Sequence, residues 1–203
     1  MPAPFNLLHE AWIPVALLDG RRVFVRPCDI SELHDGQPIV RVATGRPDCD
    51  ISLTEFLIGI LAVTIGPTAT KDWLKRYRKP STRADLERAF APLEPAMMLD
   101  GPGPRFFQDL EPFETGASDS DWNRPEQLLV DGPGDNTIKE NADHFVKRSG
   151  VMCLSRSGAA IALLTIQTMS PSGGPGKLTS IRGGGPLTTL IVPGNGTGEP
   201  TLW

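Results

Sequence analysis

The first 25 residues alternate between apolar and polar segments in the way that predicts a β-hairpin. Two apolar runs, residues 12–18 and 21–25, flank the dipeptide Asp19-Gly20. Asp-Gly between apolar runs is typical of a type I′ turn, whose two central residues both need positive φ. Because Pro14 has no backbone N–H, we expect the first strand to lie at an edge of its sheet.

Helical spacing of apolar residues dominates the middle of the chain. Ser52 and Glu55 are spaced as a capping box before an apolar helix that ends ahead of Gly66-Pro67. A basic helix over residues 70–79 and a third helix over 82–91 each end before a proline. All three helices are therefore bounded by residues that stop helices.

The second half of the chain is predicted to contain less regular structure. Residues 93–135 are mostly loop, as are residues 26–50, and a buried helix is expected over 157–169. Residues 187–192 are rich in β-branched side chains and predict a late strand. The order predicts an α+β fold: one irregular, loop-rich mixed domain over 1–203, with an N-terminal β-hairpin, several helices and a late strand.

Composition narrows the class of protein. The 21 glycines and 20 prolines among 203 residues make about a fifth of the chain, against roughly 12% in ordinary proteins. A net charge of only −4 argues against a disordered polyelectrolyte. No apolar run reaches the roughly 20 residues of a membrane span, and the N-terminus lacks a secretory pattern. Cys28, Cys49 and Cys153 lack disulfide or zinc spacing. We expect a cytoplasmic protein without a metal or cofactor.

Charge is distributed in blocks. Residues 71–88 carry seven basic side chains against three acids, and residues 95–135 carry nine acids against two arginines. Residues 144–198 contain no Asp or Glu but five Lys or Arg. An acid-free stretch suits a surface that faces phosphate. Compositional drift in a glycine-rich loop is the alternative, and both remain open.

The motifs of common enzymes fail on detail. The run from Gly173 to Lys177 invites a phosphate-loop interpretation, but Pro171 stands where the first glycine is needed and Leu178 follows the lysine. Asp143-His144 could be an acid–base pair, yet no nucleophile is evident beside it. We therefore expect no catalytic residue and predict that the chain is not an enzyme.

The late glycines gather beside cations. Backbone without Cβ can approach a polymer closely, and residues 170–186 combine such backbone with hydroxyls and two cations. This favours a loop laid against a nucleic-acid backbone or a minor groove. A pair of tight turns leading into the late strand explains the same residues equally well.

Three blocks of the chain carry a family resemblance. They are Asn6-Leu-Leu-His-Glu-Ala-Trp-Ile-Pro-Val15, then Phe90-Ala-Pro with Arg105-Phe-Phe-Gln-Asp109, and finally Ala159-Ala-Ile-Ala-Leu163 through Ser180-Ile-Arg-Gly-Gly-Gly-Pro-Leu-Thr-Thr189. Together they resemble the large subunit of Cascade, the CasA family of type I-E CRISPR interference complexes. Members of that family are more than twice this length and finish with a C-terminal helical bundle. The resemblance therefore implies an N-terminal domain.

The resemblance implies a non-catalytic subunit of an RNA-guided surveillance complex. Such a subunit reads the protospacer-adjacent motif (PAM) of target double-stranded DNA, helps to open that duplex and recruits the helicase–nuclease. The implied partners are the other Cascade subunits, guide RNA, target double-stranded DNA and the helicase–nuclease, with no membrane. The acidic residues 95–135 favour the alternative, a protein-only scaffold or recruitment module without direct DNA contact.

Two segments inherit candidate sites from the resemblance. The family's minor-groove glycine loop aligns with residues 171–177, although Ser172 and Pro175 stand where glycine is usual. A second loop, near the seed end of the guide RNA, aligns with residues 145–147, and Lys147 replaces an asparagine there. The predicted DNA-binding residues are Ser172, Gly173, Gly174, Gly176, Lys177 and Arg182, and the predicted seed-end residues are Phe145, Val146, Lys147 and Arg148.

Overall fold

A small antiparallel sheet begins the fold. The computed structural model describes residues 3–108, 124–144, 150–170 and 180–181. Strands β1 (Ile13–Leu17), β2 (Arg22–Val25) and β3 (Ile39–Val42) form a three-stranded sheet in the order β2-β1-β3. The predicted hairpin is confirmed, because β1 and β2 pair antiparallel with Ile13 opposite Val25.

The hairpin turn differs from the predicted type I′ turn. The Leu17 N–H donates to the Arg21 carbonyl at 2.8 Å, which leaves three residues in the loop. Gly20 has a φ of +86°, whereas Asp19 is not among the residues with positive φ. A three-residue loop with glycine in the left-handed region needs only one such position. Asp19 instead accepts a hydrogen bond from the Arg21 N–H at 3.0 Å.

The edge position predicted for β1 is wrong, because β3 pairs on its other side. Residues 26–50 were expected to be loop, but residues 39–42 form β3 within them. Pro14 is tolerated because it lies at the end of the β1–β3 ladder. Its carbonyl accepts the Ala43 N–H at 2.8 Å, just beyond the last residue of β3. The missing N–H therefore removes at most one terminal hydrogen bond.

Five helices are present among the described residues. They are α1 (Pro47–Ile65), α2 (Thr70–Arg78), α3 (Arg83–Phe90), α4 (Asp135–Lys139) and α5 (Arg156–Met169). Short 3-10 turns cover Pro27–Asp29, Ala91–Met97 and Pro125–Leu128. The predicted ends of α1, α2 and α3 are confirmed to within a residue.

The predicted start of α1 is wrong. The helix begins at Pro47, five residues before Ser52, because proline fits the first helical position, where its N–H is not needed. Ser52 lies inside the helix, and its hydroxyl donates to the Asp48 carbonyl at 2.9 Å. The capping box lies at α3 instead, where Thr82 and Asp85 cap each other.

The core forms between the sheet, α1 and α5. Trp12 is fully buried, and its indole N–H donates to the Leu7 carbonyl at 2.8 Å. Trp12, Phe56 and Phe106 meet edge-on, with ring centroids 5.8 to 6.4 Å apart. Such aromatic contacts add about 0.5–1.5 kcal/mol each beyond the burial of their area. The core thus holds β1, α1 and the 106–107 turn together.

The α+β class is confirmed, with its strands at the N-terminus. The late strand predicted at residues 187–192 lies outside the described residues. Over the part of the chain that the structure describes, no single helix is long and apolar enough to cross a membrane. Only α1 and α2 taken together meet that criterion, and the pair is bent by 119°.

Candidate nucleic-acid interface

Both predicted nucleic-acid segments lie outside the described residues, while their flanks are described. Residues 171–179 and 182–203 are not described, and neither are residues 145–149. This covers all ten predicted site residues: Ser172, Gly173, Gly174, Gly176, Lys177, Arg182, Phe145, Val146, Lys147 and Arg148. The described residues show the elements to which these segments are attached.

We call residues 171–182 the glycine segment, and the described residues Ser170 and Ile181 attach it to one turn of α5. The Ser170 N–H donates to the Ile166 carbonyl at 3.2 Å, which completes the last turn of α5. The Ile181 N–H donates to the Gln167 carbonyl, one residue along the same helix, at 2.9 Å. The described residues on either side of 171–179 are therefore both hydrogen-bonded at the C-terminal end of α5.

Helix α5, from which the glycine segment continues, packs into the hydrophobic core. Ala160, Ile161 and Leu164 are buried on it. The Thr168 hydroxyl lies 2.9 Å from the Ser52 hydroxyl of α1 and 2.8 Å from the Leu164 carbonyl. This polar contact fixes the last turn of α5 against α1, next to the point where the glycine segment begins.

One cation of the acid-free stretch is used inside the fold. Arg156 Nε lies 2.9 Å from Asp100, and Arg156 Nη1 donates to the Ala3 carbonyl at 3.1 Å. Its guanidinium also lies 5.7 Å from the centre of the Phe5 ring. Arg156 therefore joins the start of α5 to the N-terminal segment. Sequence reasoning missed this role because its partner, Asp100, lies 56 positions earlier in the chain.

The second predicted segment precedes α5. Asn141 has a φ of +53° in the turn that follows α4, and both His144 and Gly150 are exposed at the edges of residues 145–149. Ser155 then caps α5 by accepting the Gly158 N–H at 3.0 Å. Helix α5 has 14 residues, about 21 Å at 1.5 Å per residue. In the chain, residues 145–149 therefore precede α5 and residues 171–179 follow it.

Many arginines outside these segments are ion-paired. We call Arg26, Asp29, Arg83 and Glu87 the Asp29 cluster. Asp29 receives Arg26 Nη2 at 3.0 Å and Arg83 Nε at 2.8 Å, and Arg26 Nη1 lies 3.2 Å from Glu87. Burial alone would raise the pKa of Asp29, but the hydrogen bonds from Arg26 outweigh it and hold that pKa below its ordinary value. This cluster ties the 3-10 turn Pro27–Asp29 to α3.

Two of the three cysteines are buried, and Cys153 is exposed. Cys28 and Cys49 are buried free thiols, and burial raises the pKa of Cys28 to about 11. The Cys28 thiol therefore stays protonated near neutral pH and is a poor nucleophile. Within the described ranges, no group of three or more His, Cys, Asp or Glu could hold a metal ion.

Helix α2 contrasts with the paired arginines. None of its residues is buried. Within the part of the chain that the structure describes, Lys71, Lys75 and Arg78 make no ion pair. Trp73 and Tyr77 are 62% and 55% exposed on the same helix. Its basic composition was apparent from the sequence, but the exposure of its aromatic side chains was not.

Comparison with known proteins places the chain in a family. The model of the CRISPR-associated protein Cse1 family matches residues 6–203, nearly the whole chain. The chain belongs to the Cse1 family. The resemblance to the CasA large subunit is thereby confirmed, since one of the similar solved structures carries both names, CasA and Cse1.

Solved Cse1 structures share the fold at low sequence identity. Cse1 of Thermobifida fusca is 20% identical with a TM-score of 0.67, over 84% of this chain and 31% of that one. CasA (Cse1) of Thermus thermophilus is 24% identical with a TM-score of 0.60, over 83% of this chain and 32% of that one. A chain of a CRISPR RNA-guided surveillance complex is 17% identical with a TM-score of 0.61, over 85% and 36%. The chain thus spans about a third of these structures.

The first of the family-like blocks serves the fold in this Cse1-family chain. The Asn6 side chain accepts the Leu8 N–H at 2.9 Å and donates to the Glu94 carbonyl at 3.1 Å. Trp12 and Val15 are fully buried. The family-like residues of the opening block therefore help to form the core, whereas most of the last block lies outside the described residues.

Proposed function

We propose that this chain is the N-terminal domain of a non-catalytic subunit of an RNA-guided CRISPR surveillance complex, and that it engages the PAM of target double-stranded DNA. The observation that carries the proposal is the Cse1 family match over residues 6–203. It is supported by the fold shared with a chain of a CRISPR RNA-guided surveillance complex. The other subunits, guide RNA and target DNA are the proposed partners.

The base of the glycine segment supports DNA contact by residues 171–182. Both flanks are hydrogen-bonded to the last turn of α5, and that turn is fixed to α1 through Thr168 and Ser52. Residues 144–198 contain no carboxylate that would repel phosphate. We assign the contact to Ser172, Gly173, Gly174, Gly176, Lys177 and Arg182.

The segment that precedes α5 is proposed to contact nucleic acid near the seed end of the guide RNA, through Phe145, Val146, Lys147 and Arg148. The helix between the two segments is about 21 Å long, which matches roughly six base pairs at 3.4 Å each. One bound duplex could therefore reach both ends of α5. The proposed role includes help in opening the duplex and recruitment of the helicase–nuclease.

The alternative of a protein-only scaffold rests on the acidic residues 95–135. Two of these acids are already ion-paired within the described part of the chain. Asp100 pairs with Arg156 at 2.9 Å, and Asp131 pairs with Arg46 at 2.9 Å. These two carboxylates are therefore already paired with arginines of the same chain.

Removal of two cations from the glycine segment tests the proposal. The chain carrying Lys177→Ala and Arg182→Ala is assembled with the other subunits and guide RNA, and its affinity for a target duplex is measured at several salt concentrations. We expect weaker binding and a salt slope smaller by about 0.9 for each phosphate that the variant no longer neutralises.

A matched control removes two cations that have carboxylate partners. Arg21 pairs with Asp19 and Asp35, and Arg88 pairs with Asp85. The variant Arg21→Ala, Arg88→Ala loses the same charge and is expected to bind the target like the unmodified chain. If the Lys177 and Arg182 variant assembles normally and keeps both affinity and salt slope, DNA contact by this segment is refuted.

A further inference from the structure

A cleft of about 350 Å³ lies between the sheet and the start of α5. Its polar lining includes Arg22, Thr44 and Ser157, and its apolar lining includes Phe24 and Ile161. No acid is among the described residues that line it. Sites for small molecules have volumes of about 300–1,000 Å³ and combine apolar walls with a few polar groups. The cleft therefore has the size and lining of a site for a small anionic ligand.

The register of the sheet places a second cation beside the cleft. Ala16 of β1 is paired with Arg22 of β2 on one side and with Arg41 of β3 on the other. Residues directly opposite each other in an antiparallel sheet share a face, and their Cβ atoms lie about 4.5–5.5 Å apart. Two such steps put Arg41 about 10 Å from Arg22 on the same face.

Arg22 and Arg41 differ from the neighbouring Arg21 in having no carboxylate partner. Arg21 Nε lies 2.7 Å from Asp19 and its Nη1 lies 2.9 Å from Asp35. Arg22 and Arg41 are exposed, and neither makes an ion pair within the ranges that the structure describes. A guanidinium is always charged and has five N–H donors. Arg22 therefore keeps both its charge and its donors for a ligand in the cleft.

The first turn of α5 adds a hydroxyl and no opposing charge. Ser155 accepts the Gly158 N–H at 3.0 Å and is used as the cap of the helix. Ser157 is half-buried and lines the cleft. Its hydroxyl has no hydrogen-bond partner among the described residues. The first turn contains no acid, so it does not repel an anion held by Arg22.

A phosphate uses these groups better than a carboxylate does. A guanidinium binds either anion through two parallel N–H groups. A phosphate has a further oxygen that a separate hydroxyl, such as that of Ser157, can contact. A phosphate monoester also carries a charge of about −1.5 to −2 near neutral pH, which suits a site with a second cation, Arg41, on the same sheet face.

Phe24 indicates what the phosphate is attached to. It is paired with Pro14 on the sheet face that carries Arg22, and it is 58% exposed where it lines the cleft. A nucleobase stacks on an aromatic ring, whereas the phosphate of the same nucleotide needs a cation. Phe24 and Arg22 lie two positions apart on one strand and provide both contacts within one cleft.

We propose that this cleft binds a nucleotide, with its phosphate on Arg22 and Ser157 and its base against Phe24. The nucleotide is either free or the phosphorylated end of a nucleic-acid strand, since both present the same phosphate and base. The cleft is separate from residues 145–148 and 171–182. The proposal therefore goes beyond the proposed function and does not depend on PAM contact.

Isothermal titration calorimetry of the full chain with adenosine monophosphate tests the proposal. Arg22→Ala is expected to weaken binding about 10- to 150-fold, because hydrogen bonds to a charged group are lost. Phe24→Leu keeps an apolar wall but removes the ring, and is expected to weaken binding about 5- to 150-fold. Ser157→Ala is expected to cost about 2- to 10-fold. Circular dichroism is expected to be unchanged, because none of the three side chains is buried.

Matched variants separate the cleft from general electrostatics. Arg41→Ala is expected to weaken binding only about twofold, the effect of one charge about 10 Å away in water. Arg88→Ala removes an exposed arginine of α3 that does not line the cleft, and no change is expected. The Lys177→Ala, Arg182→Ala variant is expected to lose target-duplex affinity and to keep nucleotide binding, so the two proposals fail independently.

Competition identifies the ligand and its source. Adenosine and inorganic phosphate are each expected to compete at least about tenfold more weakly than adenosine monophosphate, because each lacks one of the two contacts. Competition by a 5′-phosphorylated oligothymidine, but not by its 5′-hydroxyl form, would assign the site to a strand end; competition by neither would assign it to a free nucleotide. The proposal is overturned if adenosine monophosphate does not bind, or if the Arg22 and Phe24 variants bind it like the unmodified chain. Equal competition by polyglutamate would overturn the assignment to phosphate.

Discussion

The Asp29 cluster and helix α2 use the same kind of charge in opposite ways. In the cluster, Arg26 and Arg83 converge on a carboxylate whose side chain is only 10% exposed. In α2, no residue is buried, and Trp73 and Tyr77 are exposed on the same helix as the cations. A count of basic residues does not distinguish the two regions, because residues 71–88 contain Arg83 together with the cations of α2. Among the described residues, the presence of a carboxylate partner distinguishes the arginines of the Asp29 cluster from Lys71, Lys75 and Arg78.

Among the variants that test this difference, removal of the Asp29 charge is expected to have the largest effect on stability. Asp29→Asn leaves Arg26 and Arg83 without their shared anion and is expected to lower the free energy of unfolding by about 1–3 kcal/mol. The measurement is urea unfolding followed by circular dichroism. Nucleic-acid binding by the folded protein is expected to be unchanged.

Two matched variants test whether the loss of stability is specific to the Asp29 cluster. Asp35→Asn is the same substitution at an exposed ion pair with Arg21, where solvent screens the charges, and no measurable change is expected. Lys71→Ala with Lys75→Ala in α2 is also expected to leave unfolding unchanged. Equal destabilisation by all three variants would remove the distinction between paired and unpaired cations.

A smaller effect is expected in the pH dependence of the free energy of unfolding. The pKa of Asp29 is lowered in the folded protein from its ordinary value of 3.8. The unfolded chain therefore binds a proton first as pH falls, so this contribution to stability is present above about pH 4 and is lost below it. We expect Asp29→Asn to show a shallower loss of stability between pH 5 and pH 3, the range around that ordinary value. Parallel profiles for the two proteins would contradict the assigned role of Asp29.

Much of the fold follows from local sequence signals. The hairpin and the end of α1 before Gly66-Pro67 lie where turn and helix-stopping residues predict them, and the helix expected over residues 157–169 spans Arg156–Met169. The start of α1 was missed because Ser52 has the spacing of a cap, while Pro47 is equally suited to begin a helix. β3 was missed because a four-residue strand carries little signal until it pairs with β1.

Local sequence signals predicted less of the candidate site than of the fold. The glycine segment was recognised through its composition and its family-like flank, yet its attachment depends on hydrogen bonds to Gln167 and on the contact between Thr168 and Ser52. The pairing of Arg156 with Asp100 joins residues that are distant in sequence. The partner in such a distant pair depends on tertiary structure, and spacing along the chain does not encode it.

Photocrosslinking tests the central claim most directly, because it reports contact between the glycine segment and DNA. A photoreactive amino acid replaces Ser172, the chain is assembled with the other subunits and guide RNA, and a labelled target duplex is added before irradiation. A crosslink to the bases of the flanking motif, absent when the same group replaces the exposed Asp35, is the predicted result. Crosslinks to protein alone, with no labelled DNA, would contradict the account.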